Sequence, residues 1–414
     1  MNRRQFIGGT LAATTAGALL AALKGQAEDQ PGTAGGAAVE IKNKIKLGVI
    51  GQGGRGRWIT DLFKQHGGFA IHAVADYFPD RAKSGGDQFG VDAARRFSGL
   101  SGYKRLLESG VEAVAVETPP YFHPEQAAAA VAAGKHVYCA KPVAVDVPGC
   151  RTIEAGGRRA TEQKLVFLVD FQTRADPFFI EALRRLHAGD IGKLAFVESI
   201  YHADCPWAQG YDALGKNPKD PETRLQTWGL DKILSGDIIT EQNIHTLDVV
   251  NWVLRAAPLH AVGSCGLTSR PKVGTCADHF AGYFQFPDNV GVTFSSRQFN
   301  GYDTRPEGIR VRAFGEHGVL ESEYGGTVMI RGDNFYRGGA SPGIFEAGAR
   351  ANIATFHQSI AAQNFANPTV APSVQSNLLT ILGRTAAYRG GLVTWKNVLA
   401  ANERLVADLK GLKD

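Results

Sequence analysis

The sequence predicts a mixed α/β protein: a doubly wound parallel sheet, followed by an α/β domain built on a large, mostly antiparallel, open-faced sheet. Three observations point there. Between residues 45 and 170, short β-type apolar runs alternate with helical patterns, as βαβ units do. The first of these runs ends in Gly51-Gln52-Gly53-Gly54-Arg55-Gly56 and passes at once into a helical pattern. From His260 onward, strands follow one another with Pro287-Asp288-Asn289 and Gly325-Gly326 as turns, which makes hairpins.

Taken in order, residues 1–27 stand outside the fold. Arg3-Arg4-Gln5-Phe6-Ile7 precedes an alanine-rich apolar run, and Gly25-Gln26-Ala27 follows as an A-x-A-like cleavage site. This is the pattern of a twin-arginine export signal, which delivers folded proteins to the periplasm or beyond. The run is at the short end for a membrane span and is diluted by Gly and Thr, so cleavage rather than stable insertion is expected. Residues 28–44 read as a polar, Gly/Ala-rich linker. The first domain, 45–170, carries strands at Ile45–Ile50, Ala70–Ala75, Ala113–Val116, His136–Cys139 and Leu165–Val169. Helices are expected at Arg57–Gln65, Tyr103–Glu108, Glu125–Ala133 and Cys150–Glu162. The second domain, 171–414, begins with a helix at Phe178–Leu186 and a strand at Lys193–His202. An irregular stretch from Cys205 to Trp228 and a helix through His245–Leu254 follow. The hairpin strands run from His260 to Ile330. Helices at Ile353–Ala362, Asn377–Tyr388 and Leu399–Leu412 are expected to pack back on the first domain.

Composition narrows the function. The 414 residues are 44% hydrophobic and 21% charged, ordinary for a globular protein with two cores. Net charge is +5 without a Lys/Arg block or basic-aromatic stripe, so nucleic acid is not the partner. The five cysteines are odd in number and widely spaced, which suits neither a disulfide framework nor a metal site.

The glycine motif carries the chemistry. Gly51 permits a tight turn, Gly53 lets backbone approach a pyrophosphate, and Gly56 allows close helix–strand packing. Gly54 and Arg55 complete the loop, and the helix N-terminus offers unpaired N–H groups to an anion. Asp76, ending the second strand, is placed to accept hydrogen bonds from a ribose diol. A carboxylate there favours NAD over NADP, although Arg55 or Arg81 could offset it. Thr118, Pro119 and His123 lie on the loop after the third strand, and Lys141 follows the fourth. Gln172 comes just after the fifth. All sit at strand C-termini, where ligands of such sheets bind. Ser235 to Asp248 places Glu241 and His245 four apart, on one helix face if the helix is continuous. A carboxylate beside an imidazole is an ordinary general base, although a solvated helix face gives the same spacing. Trp207, Tyr211 and Trp228 read either as a sugar platform or as packing aromatics.

Several of these motifs, in this order, resemble the Gfo/Idh/MocA family (glucose–fructose oxidoreductase and inositol dehydrogenase). They are the glycine loop, V-E-T-P-P-Y-F-H, A-G-K-H-V-Y-C-A-K-P, G-D-I-I-T-E-Q-N-I-H-T-L-D and the late I-L-G-R-T-A helix. The resemblance implies a Rossmann domain joined to an open-faced α/β domain, NAD or NADP, and redox chemistry at a hydroxyl of a sugar or cyclitol. It implies catalytic roles for Lys141, Glu241 and His245: His245 takes the hydroxyl proton, Glu241 orients the imidazole, and Lys141 polarises the oxygen. Two departures stand out. Ala140 replaces the family's Glu before Lys-Pro, and Glu241 replaces its Asp before the histidine. Export, where free NAD is scarce, implies a tightly held cofactor. Sugar–sugar oxidoreduction satisfies that condition. So does NAD-dependent glycoside hydrolysis, with Tyr201, His202 or Tyr302 as elimination base. The open sheet face implies a homo-oligomer.

Overall fold

The computed structural model describes residues 43–414. The export signal expected over 1–27 and nearly all of the linker expected over 28–44 lie outside the described residues.

Six parallel strands order the first part of the chain: β1 (Ile45–Ile50), β2 (Phe69–Asp76), β3 (Arg96–Ser98), β4 (Ala113–Val116), β5 (His136–Ala140) and β6 (Phe167–Asp170). Their spatial order is β3-β2-β1-β4-β5-β6, so the winding reverses between β1 and β4. A crevice at the strand C-termini belongs to that reversal. Leu47, Val49 and Ala113 to Val116 are fully buried, because helices cover both faces of a parallel sheet. In this part of the chain the sequence reading lacks two elements of the sheet's layers. One is the three-residue β3. The other is the helix Pro79–Phe89, whose Gly85-Gly86 pair interrupts the apolar periodicity.

The second sheet holds β7 (Leu194–Ala203), β8 (His260–Gly266), β9 (His279–Gln285), β10 (Gly291–Gln298), β11 (Gly308–Gly315), β12 (Gly318–Glu323), β13 (Thr327–Gly332), β14 (Tyr336–Ala340) and β15 (Val393–Thr394). The order is β14-β13-β12-β11-β7-β10-β9-β8-β15. Only β7 and β10 pair in parallel; the remaining ladders are antiparallel. Helices Ile244–Leu254 and Val370–Arg389 pack against one face. The other face carries the ion pairs Arg310–Glu323, Arg312–Glu198 and Arg331–Glu321, beside the stacked rings of Phe196 and Phe314. Among the described residues no helix is long and apolar enough to cross a membrane.

Helix Val370–Arg389 ties the two sheets together. Its Arg384 guanidinium donates to the carbonyls of Gly236 and Val145 at 2.7 and 2.8 Å. The helix expected over Leu399–Leu412 is shorter. It spans Trp395–Ala401 and ends at Asn402, which has φ +45°. Residues 402–414 then run without helix along the first domain. Leu405 N donates to Asp146, Ala407 N to the Tyr121 hydroxyl, and Lys413 N to the Tyr77 hydroxyl. Ala407 packs with Leu225 and Leu234, and Leu409 and Leu412 flank that cluster with Trp228.

Candidate active site

The glycine loop bends as the motif requires. Gly51 has φ +99°, a region side chains disfavour, and a Cβ there would lie 2.7 Å from the Glu117 carbonyl. A Cβ on Gly56 would lie 2.0 Å from the Gly51 oxygen. Gly53 precedes helix Gly54–His66 with no side-chain cap, so the first-turn N–H groups are left for an anion. A Cβ on Gly54 would meet open space. The cleft in front of this loop encloses about 660 Å³, part of it open to solvent. Gly51, Gly53, Asp76, Thr118, Pro119 and Trp228 are among its walls. An uncapped helix N-terminus facing a cleft with a carboxylate at its rim fits a dinucleotide.

Asp76 sits at the end of β2 as expected, and its carboxylate accepts from Gln52 N at 2.7 Å and Phe78 N at 2.9 Å. Burial raises its pKa, with those two bonds opposing. Arg81 borders the same cleft, its guanidinium 4.5 Å from the Phe78 ring centre.

Other expected cofactor residues stand elsewhere. Arg55 does not line the phosphate cleft. Its Nη2 lies 2.5 Å from Asp170 and its Nε 3.0 Å from Glu117, across the ends of β4 and β6, because two buried carboxylates draw the guanidinium there. His123 is buried behind the cleft wall, its ring nitrogens 2.8 Å from the Pro142 oxygen and 2.7 Å from the Thr118 oxygen. Burial lowers its pKa to about 4, so the neutral ring donates to only one of these carbonyls and braces the two loops. Gln172 is buried and donates to Asp170 at 2.9 Å. Thr118, by contrast, borders the cleft and donates to Gln126 at 2.6 Å.

Lys141, Glu241 and His245 gather at the end of β5, with a different pairing from the expected one. Lys141 Nζ donates to the Glu241 carbonyl at 2.6 Å and lies 3.1 Å from its Oε1. Glu241 Oε2 accepts from the Gln242 amide at 2.5 Å. Glu241 therefore anchors Lys141 and does not orient His245. The cause is local: the helix Ile238–Glu241 stops, Asn243 N bonds the Ile238 carbonyl in a wide turn, and a new helix starts at Ile244. The i,i+4 relation needs an unbroken helix, and that break removes it. Burial lowers the Lys141 pKa, with Glu241 opposing.

His245 is 8% exposed, and its Nδ1 has no hydrogen-bond partner among the described residues. Burial first, then the charges of Lys141 and Arg55, hold its pKa well below the ordinary 6.5. At neutral pH it is a neutral imidazole with a free nitrogen. Asp248, three residues on, is taken by Arg174 through two bonds of 2.9 Å and by Ser376 at 2.6 Å.

The sequence reading missed Glu117 and Asp170. Asp170 accepts from Arg55, Gln172 and Asn352. Glu117 is fully buried, and burial pushes its carboxyl up to about 7, with Arg55 opposing. A signal existed: a lone Glu closing the apolar run of β4, at a ligand-binding strand end. Trp207 and Trp228 do not stack into a flat platform. Trp207 meets Trp228 edge to face at 5.6 Å, and Trp228 instead walls the nucleotide cleft. Of the three candidate elimination bases, only Tyr201 adjoins the site, through its hydroxyl on Gln242. His202 is held by Pro306 and Ser295, and Tyr302 is 83% exposed.

This geometry defines a Rossmann protein with a nucleotide cleft and, where β4, β5 and β6 end, a buried cluster of charged side chains beside a neutral histidine. Comparison with known proteins places it more closely. Residues 45–171 match the oxidoreductase family with NAD-binding Rossmann fold, Gfo/Idh/MocA, and residues 179–321 match that family's C-terminal domain. The chain belongs to the Gfo/Idh/MocA family. A myo-inositol dehydrogenase of Streptomyces leeuwenhoekii is 29% identical over 221 residues, 52% of this chain and 59% of that protein. The chain thus spans just over half the length of that relative. The scyllo-inositol 2-dehydrogenase (NAD(+)) of Bacillus subtilis is 23% identical over 71% of this chain and 80% of its own length. Among solved structures, an aldose-aldose oxidoreductase from Caulobacter crescentus shares the fold. It has a TM-score of 0.65 and 20% identity, with 85% of this chain and all of that one covered.

Proposed function

We propose that the protein is an NAD-dependent oxidoreductase acting on a hydroxyl-bearing carbon of a carbohydrate or cyclitol. The observation that carries this is His245: a buried, neutral imidazole with a free Nδ1, beside a lysine anchored by Glu241, at the C-terminal edge of the sheet that forms the nucleotide cleft. The family assignment supports the cofactor, and the inositol dehydrogenases among the relatives support the substrate class. NAD, when bound, supplies a hydride acceptor at the nicotinamide. The protein's residues do the rest. Backbone at Gly51 and Gly53 would hold its pyrophosphate and Asp76 its ribose diol, with Thr118 and Pro119 lining the same cleft. Lys141 donates a hydrogen bond to the substrate oxygen, and His245 accepts the hydroxyl proton. Asp76 selects NAD, since a buried carboxylate repels a 2′-phosphate.

The export signal of residues 1–27 supports a periplasmic or secreted enzyme with a retained nucleotide. Leu225 and Trp228 over the cleft, braced by residues 402–414, favour retention. The uncovered face of the second sheet supports a homo-oligomer. A second reading uses the same retained cofactor for glycoside cleavage by oxidation, elimination, hydration and reduction. That reading needs an elimination base, and Tyr201 adjoins the site through Gln242 and Glu241, with burial raising its pKa. Protein purified without added cofactor and mixed with polyols, sugars and aryl glycosides tests both. Product with no net NADH means a closed cycle, and steady NADH formation that needs added NAD means an ordinary dehydrogenase. No bound nucleotide and no product with any substrate would sink the proposal.

A further inference from the structure

Three carboxylates and two bases meet where β4, β5 and β6 end: Glu117, Asp170 and Glu241, with Arg55 and Lys141. Their bonding is uneven. Asp170 accepts three hydrogen bonds from named donors, and Glu241 accepts from Lys141 and Gln242. Glu117 accepts none among the described residues, although its side chain is fully buried and it borders the nucleotide cleft. Its close partner, Arg55 Nε at 3.0 Å, lies off the hydrogen-bond line. The strand register explains why a carboxylate stands here. Val116 pairs with Cys139, so one step further Glu117 lies beside Ala140. Ala140 is where this chain lacks the family's Glu. The adjacent strand puts the Glu117 carboxylate next to that position.

The formal charges give that carboxylate a task. With all five groups ionised, the cluster carries two positive and three negative charges, a net of −1. Protonating Glu117 brings it to zero. The nicotinamide ring is positive when oxidised and neutral when reduced. An unbalanced charge in a buried site is unfavourable, so the site favours whichever state of Glu117 restores neutrality.

We propose that Glu117 holds the proton that balances the nicotinamide's charge: a carboxylate opposite the oxidised ring, a carboxylic acid opposite the reduced ring. This rests on the NAD-dependent reading above. Atoms and charges balance. The substrate carbon loses a hydride to the ring and is oxidised, and its hydroxyl proton goes to His245 and on to solvent. One proton from solvent ends on Glu117, so alcohol, oxidised cofactor and carboxylate become carbonyl, reduced cofactor and carboxylic acid. A closed redox cycle then runs with no net change of charge in the site.

The groups facing Glu117 support this assignment. Arg55 comes from helix Gly54–His66, Tyr138 and Cys139 from β5, Lys141 from the loop after it, and Asp170 from β6. Burial raises the pKa of Tyr138 and Cys139, so both stay neutral near pH 7. His245 titrates well below its ordinary range. Glu117, with its carboxyl near 7, is the group poised to exchange a proton there.

The test counts protons. Full-length protein stripped of nucleotide is titrated calorimetrically at pH 7 with NAD+ and with NADH, in buffers of different ionisation enthalpy. NADH binding is expected to take up more protons than NAD+ binding, by up to about one. The difference should vanish in Glu117→Gln and persist in His245→Ala. Equal counts in the wild type, or a difference that survives in Glu117→Gln, overturn the proposal. If Glu117→Gln fails to fold, the infrared difference spectrum of the wild type decides. The reduced minus oxidised spectrum must gain a protonated-carboxyl band, and its absence also overturns the proposal. Turnover with both nucleotides bound but no proton difference sinks this inference alone. Failure to bind either nucleotide sinks the NAD-dependent reading with it.

Discussion

The phosphate end of the cleft is built from the backbone of residues 51–56. Beside the cleft, where β4, β5 and β6 end, stand charged side chains gathered from separate stretches: Arg55, Glu117, Lys141, Asp170 and Glu241, of which Glu117 lines the cleft. A backbone site depends on shape, and one methyl group can spoil it. A charge site depends on a sum, and its members can shift as long as the sum is kept. That explains how position 140 can lack a carboxylate while Glu117 carries one next to it, on the neighbouring strand. It also explains why the loop between Gly51 and Gly56 leaves no such room.

The comparison can be broken by substitution. His245→Ala removes the free imidazole and should lower turnover by roughly 10²–10⁴-fold while bound nucleotide stays at the wild-type level. Steady-state rates alongside nucleotide content check this. An unchanged rate would remove His245 from the chemistry. Gly56→Ala attacks the other end: a Cβ 2.0 Å from the Gly51 oxygen forces the loop open. Nucleotide affinity should fall by about 10²-fold, a cost of a few kcal/mol. Titration by NADH fluorescence would read that loss, and wild-type affinity would mean the loop yields more than its geometry implies. Asp76→Asn, which keeps the shape and deletes the charge, should narrow the preference for NAD over NADP by on the order of ten-fold. Parallel binding curves for the two nucleotides measure it.

A separate effect concerns stability. The Glu117 carboxyl is raised to about 7 in the fold from an ordinary 4.5, chiefly by burial. Between those values the folded protein holds a proton that the unfolded chain has released. The cofactor-free protein therefore loses stability as pH rises through that window, and above it carries the full cost of a buried charge. Glu117→Gln escapes that cost. It should gain on the order of 2–3 kcal/mol over the wild type at pH 8 and almost nothing near pH 4.5. Melting curves at the two pH values compare them, and a gain of equal size at both would point to packing instead of charge.

How much was legible follows the same division. The parallel sheet, the glycine loop and the strand ends at Asp76, Thr118 and Lys141 were read from local patterns, since each depends on residues a few positions apart. The pairing of Glu241 departs from the expectation because an i,i+4 spacing presumes a continuous helix, and the turn at Gln242-Asn243 breaks it. Arg55 counts among the expected cofactor residues because it lies in the motif. Its partner Asp170 is 115 residues away, and no local rule reports that distance. Helix Pro79–Phe89 was hidden by its paired glycines, and the expected helix beyond Leu399 was cut at Asn402, whose left-handed conformation gives no periodic signal.

One consequence of segment 402–414 concerns the order of synthesis. Those residues brace Leu225 and Trp228 beside the nucleotide cleft and bond to Tyr77 and Tyr121 on the first domain. They are translated after every other described part of the chain. A growing chain can complete the parallel sheet and its glycine loop long before the cleft has its outer brace. The outer brace of the cleft is therefore added only after the parallel sheet and the glycine loop have been made.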